Sequence, residues 1–101
     1  SVEFPDGTVI NENNKFDTYH KTLSKIGIEQ VEKIAAEMKY HRRHTPLVTK
    51  SKYEAILNDP TFSYIQEGDC FIVKGINNIT MYRMVMLLDN RLDLQLKVCY
   101  E

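Results

Sequence analysis

Apolar positions recur along this chain at two spacings. Phe16, Tyr19, Leu23 and Ile26 follow the three-and-four rhythm of a helix with one buried stripe, which predicts a helix from about Lys15 to Ile26. Gly27 is placed to cap its end. A second helix starts at about Ile28, with Ile28, Val31, Ile34 or Ala35, and Met38 on its apolar face. Glu29 and Glu32 sit in its first turns, where carboxylates oppose the positive end of the helix dipole. A third helix opens at a cap on Asn77 or Asn78 and runs to about Leu92. Its stripe is Tyr82, Val85, Leu88 and Leu92, widened by Met81 and by Met84 to Met86. From Leu94 to Tyr100 the rhythm changes to strict alternation. Leu94, Leu96, Val98 and Tyr100 share one side, which predicts a strand.

Between these elements the turn chemistry predicts hairpins. Pro5-Asp6-Gly7 separates two short apolar runs within Val2 to Ile10. Pro presets φ, Asp bonds its own backbone, and Gly accepts positive φ. A second hairpin joins Thr61–Ile65 to Cys70–Lys74 through a turn at Gln66-Glu67-Gly68-Asp69. Pro46 ends any helix, and Leu47-Val48 can form a short strand. Ser51 can cap a short helix through Lys52, Tyr53, Ala55, Ile56 and Leu57, stopped at Asn58-Asp59-Pro60. The order ββ-αα-β-(α)-ββ-α-β predicts an α+β fold. Its sheet is antiparallel or mixed, of about five to six strands, with helices mainly on one face.

A chain of 101 residues, 43% hydrophobic, fits a single domain spanning 1–101 with one core. It opens on Ser1 rather than Met, which points to a domain excised from a larger protein with partner domains elsewhere. The two cysteines, Cys70 and Cys99, are few for a small secreted domain and sit in apolar segments, so the expectation is a reducing cytoplasm. There is no long apolar run, so no membrane partner is expected.

The net charge of −1 hides an asymmetry. Between Glu37 and Glu54 there is no acid, and the window holds Lys39, Arg42, Arg43, Lys50 and Lys52; the rest of the chain carries the compensating negative charge. Lys and Arg pair with phosphates, and Tyr or His can stack on bases. The candidate nucleic-acid-binding residues are therefore Lys39, Tyr40, Arg42, Arg43, Lys50 and Lys52, with Tyr53, Lys74 and Arg83 as possible extensions. The bland alternative is a solvated face favoured by the helix C-terminus that precedes it.

Catalytic chemistry finds little purchase. His41-x-x-His44 is the one metal-ligand pair, and it reads better as a solvated loop. Cys70 follows Asp69, whose charge raises a thiol's pKa, and Cys99 lies on a strand, so both read as structural thiols. Phosphate-binding glycine loops are absent. The helix–Gly27–helix unit reads as a structural hairpin, since Glu29 and Glu32 would repel phosphate at a recognition helix. No cofactor, metal or enzymatic activity is expected. The leading expectation is a non-catalytic binding module, and the alternative is a protein-interaction or dimerisation domain. That alternative would use the Leu94–Tyr100 edge or the methionines of the third helix.

Phe4-Pro5-Asp6-Gly7-Thr8, Lys25-Ile26-Gly27-Ile28-Glu29-Gln30-Val31, Leu47-Val48-Thr49-Lys50, Gly68-Asp69-Cys70-Phe71-Ile72-Val73 and Leu92-Asp93-Leu94-Gln95-Leu96-Lys97-Val98 together form a pattern. It resembles that of an uncharacterised bacterial accessory domain, carried at the ends of larger proteins linked to restriction, defence or mobile elements. The resemblance implies a shared fold and transfers no catalytic residue. The basic stretch after Met38 lies outside the pattern.

Overall fold

Asn14 and Asn77 start two of the helices in the same way. The Asn14 side-chain oxygen accepts from the Asp17 amide at 3.0 Å, and that of Asn77 from the Thr80 amide at 2.8 Å. Each satisfies a donor that the first helical turn leaves open. The helices that follow are α1, Lys15–Ile26, and one at Asn78–Leu92, numbered α3 in chain order. Between them, among the described residues, come α2, Ile28–Ala35, and five strands. The structure is a computed structural model and describes residues 1–37, 39–40, 45–52, 54–55 and 63–99. The chain divides into two compact units, Ser1–Ile26 with Asn77–Glu101, and Gly27–Ile76.

The first unit is built on the sheet β2-β1-β8, with β1 Val2–Glu3, β2 Val9–Ile10 and β8 Lys97–Val98, all antiparallel. The Pro5-Asp6-Gly7 turn closes as expected. Phe4 donates to the Thr8 carbonyl at 2.8 Å, Asp6 Oδ1 accepts from the Thr8 amide at 2.8 Å, and Gly7 takes φ +91°. Val2, Phe4, Ile10, Tyr19, Leu23 and Ile26 are buried, as are Met81, Met84, Val85 and Leu88. Each such side chain contributes roughly 1.5–3 kcal/mol relative to exposure. Thr22 joins them by donating its hydroxyl to the Thr18 carbonyl at 2.7 Å. On α3 the buried stripe is shifted from the expected one. Met81 and Met84 pack inside, whereas Tyr82 is exposed together with Ile79 and Met86.

The expected strand Leu94–Tyr100 is cut to Lys97–Val98 at its described end, because Asp93 and Gln95 take φ of 51° and 56°. That backbone instead turns onto α3, where Asp89 accepts from the Leu94 amide at 3.2 Å through its carbonyl and from the Leu96 amide at 3.1 Å through its carboxylate. The inside–outside alternation of Leu94 to Cys99 survives without the ladder.

The second unit carries the sheet β5-β7-β6, with β5 Val48–Thr49, β6 Tyr64–Glu67 and β7 Cys70–Val73. A separate two-stranded ladder joins β3, Lys39–Tyr40, to β4, Thr45–Pro46. The β6–β7 turn is two residues long rather than four, since Glu67 pairs with Cys70. Gly68, at φ +59°, fills the first central position, where positive φ favours glycine. α2 packs on β5 and β7. Ser51 caps a helical turn by accepting from the Glu54 amide at 3.2 Å; residues 53 and 56–57 of the expected short helix lie outside the described residues.

The α+β class holds, and every described strand pairing is antiparallel. The described strands fall into three small sheets rather than one; α1 packs with α3 and β2, and α2 with β5 and β7. Among the described residues no helix is long and apolar enough to cross a membrane.

Candidate nucleic-acid interface

The basic segment does not continue a helix. α2 ends at Ala35, and the chain is extended again at Lys39. Lys39 and Tyr40 form β3, opposite Pro46 and Thr45. Lys39 therefore belongs to a strand rather than to the negative end of a helix dipole, so the dipole does not account for its position. Pro46 is tolerated because the ladder is short and needs few amide donors. Arg42 and Arg43, with His41 and His44, lie outside the described residues.

Lys50 follows β5 directly and is exposed, but its charge is engaged. Its Nζ lies 3.0 Å from Glu29 Oε2 on α2. The carboxylate raises the Lys50 ammonium above the usual lysine range, by hydrogen bond first and charge second. Glu29 also lies 3.9 Å from the Cys70 thiol. Burial, and then the Glu29 charge, push that thiol up, while Asp69 is the smallest contributor. Cys70 is thus held as the neutral thiol, the state that disfavours nucleophilic chemistry. Cys99 is exposed. The described residues contain no cluster of metal-ligating side chains.

Lys52 differs from Lys50. It is exposed, and among the described residues no carboxylate comes within ion-pair distance of it. Its ammonium stands 6.0 Å from the centroid of the Tyr64 ring. Tyr64 in turn meets Phe71 edge-to-face, with centroids 5.4 Å apart and planes at 77°.

The register explains why these residues meet. Residues opposite each other in an antiparallel pair project to the same side. Cys70, Ile72, Ile65, Glu67 and Val48 share the face toward α2. Tyr64, Gln66, Phe71, Val73 and Thr49 share the other. On that second face Val73 and Thr49 are buried, Tyr64 and Phe71 are half-buried, and Gln66 is exposed. Tyr64 and Phe71 were not among the residues expected from the sequence. Alternation read outward from a two-residue turn at Gly68-Asp69 would have placed Gln66 opposite Phe71; the four-residue turn hides it.

Lys74, one residue past β7, is exposed in this unit, and Arg83 is exposed on α3 in the other. No protein-family model matches the chain, and comparison with curated proteins and with solved structures returns no match.

Proposed function

We propose that the chain is a non-catalytic binding module, an accessory part of a longer protein, that contacts nucleic acid through residues 39–52 of its second unit. The observation that carries this reading is Lys52, an exposed cation with no carboxylate partner among the described residues. It sits in a stretch that holds five cations and no acid. Lys50, held by Glu29, contributes less than its sequence position implies. Lys39, Arg42, Arg43 and Lys52 carry the phosphate contacts, with Tyr40 as a stacking side chain.

Electrostatic binding of this kind releases counterions. With four phosphates neutralised, log K against log salt falls with a slope of about −3. Fluorescence anisotropy with a labelled oligonucleotide between 50 and 200 mM salt measures it. Absence of binding at the lower salt removes the reading.

A second reading rests on α3, where Ile79, Tyr82 and Met86 lie at helical spacing and are exposed by 64%, 38% and 36%. Such a stripe fits a protein-interaction surface. Sedimentation across a hundredfold range of concentration tests self-association; a strict monomer throughout removes the homodimer.

A further inference from the structure

We infer that the outer face of the β6–β7 hairpin is a base-stacking platform that makes the module prefer single-stranded to double-stranded nucleic acid. This rests on the nucleic-acid reading above and names the form of its ligand. Three observations meet at one place. The face turned away from α2 carries two half-buried aromatic rings in contact, Tyr64 and Phe71. An ammonium with no carboxylate partner among the described residues, that of Lys52, stands over one of them. Gln66, exposed opposite Phe71 in the ladder, donates its amide nitrogen to the Gly68 carbonyl at 3.1 Å, which leaves the amide oxygen as its acceptor.

Of the nearby carboxylates, Glu67 projects to the opposite face and Asp69 sits in the turn, while Glu54 accepts from the Thr49 hydroxyl at 3.3 Å and keeps its charge, so the attraction for an anion rests on Lys52. A lone anion would need only the lysine, and an apolar partner would need only the rings. A ligand that uses both presents a flat π-face and a negative charge a few ångströms apart, which is one nucleotide of an unstacked strand. In a duplex the base faces are already stacked on each other, so only the phosphate is left for Lys52.

The 77° angle between the rings limits the site to one base, because two planes so inclined cannot both present a face in the same direction. Lys52 lies at the outer limit of a cation–π contact, so the contact is weak and the ammonium is easily displaced. A base takes the ring face, and the ammonium moves to the neighbouring phosphate.

The test uses the whole chain with a labelled twelve-residue oligo(dT) and a twelve-base-pair duplex at 50 mM salt. The wild type is expected to bind the single strand at least fivefold more tightly. Tyr64→Leu and Phe71→Leu together keep the apolar bulk but remove stacking. They are expected to cost about tenfold on oligo(dT) and less than twofold on the duplex, with the melting curve monitored alongside. Should the double variant fail to fold, the ring-proton resonances of Tyr64 and Phe71 in the wild type report directly, moving upfield as oligo(dT) is added. Equal affinity for both probes, equal losses on both, or unmoved ring resonances overturn the platform and leave the phosphate-binding reading standing. Binding to neither probe overturns both.

Discussion

Each of the two units has a lysine standing over an aromatic ring, and among the described residues only one of the two has a carboxylate partner. In the first unit the Lys25 ammonium lies 5.0 Å from the Phe4 ring centroid and 3.0 Å from Asp6 Oδ2. In the second, Lys52 lies 6.0 Å from Tyr64, with no carboxylate partner among the described residues. Phe4 is a buried core residue, so Lys25 spreads its methylene stem over the core edge while its charge is met locally. Tyr64 belongs to a half-buried face, and the ammonium above it meets no carboxylate among the described residues. The same contact closes a core in one unit, with Asp6 beside it, and stands on a more exposed face in the other.

The comparison can be pressed from several directions. The largest contrast lies in the thiols. Cys99 of the first unit is exposed and Cys70 of the second is buried, with its ionisation suppressed by burial and by Glu29. A disulfide reagent at pH 8 should modify Cys99 promptly and Cys70 about a hundredfold more slowly or worse, since Cys70 must wait for local opening. Two equally fast thiols would contradict the packing of α2 on β7.

Next come the lysines themselves. Lys52→Met keeps the stem and removes the charge. It should weaken oligonucleotide binding about tenfold at 50 mM salt and reduce the salt slope by about 0.7 to 0.9. Lys25→Met should leave both unchanged. If the two substitutions act alike, the neutralisation argument fails.

A smaller effect of opposite sign is expected from Glu29→Gln, which releases Lys50. Binding should tighten by about two- to fivefold, since one more cation becomes available for counterion release. Unchanged affinity would mean that Lys50 faces away from the ligand.

Asp6 supplies the smallest effect. The Thr8 amide first, and Lys25 second, lower its carboxyl to about 2 from an ordinary 3.8. A depressed folded-state value stabilises above the unfolded pKa and is lost as pH falls through the folded one. The contribution is therefore complete above about pH 4 and disappears toward pH 2. Asp6→Asn should flatten that acid limb in urea titrations at stepped pH while leaving nucleic-acid binding at pH 7 unchanged.

Legibility followed the range of the interaction that fixes each element. The bounds of α1 and α3 could be read because periodicity and an Asn cap act within one turn of the chain. The Pro5-Asp6-Gly7 hairpin was readable for the same reason. β3 and β4 were not, since a two-residue strand has no period and the cations beside it suggest the end of a helix. On α3, Tyr82 reads as apolar by type, yet one step around the helix places it outside while Met81 and Met84 go in. The strand expected from Leu94 is interrupted by positive φ at Gln95, which no side-chain pattern signals. At the site, Lys52 was visible as charge. The Glu29–Lys50 pair joins residues 21 positions apart, so the loss of Lys50's free charge could be found only in the folded chain.

Gly68 shows how a residue in a turn governs which side chains a sheet presents on each face. Its positive φ holds a two-residue turn, and the turn fixes which side of the sheet each neighbour occupies. Lengthening that turn by a single residue, with β6 slipping against β7, would send Tyr64 inward to the α2 side and bring half-buried Ile65 to the opposite face. A substitution there would pass for a damaged binding pocket in any functional screen, although its primary effect would be to exchange the module's interior chemistry for its exterior.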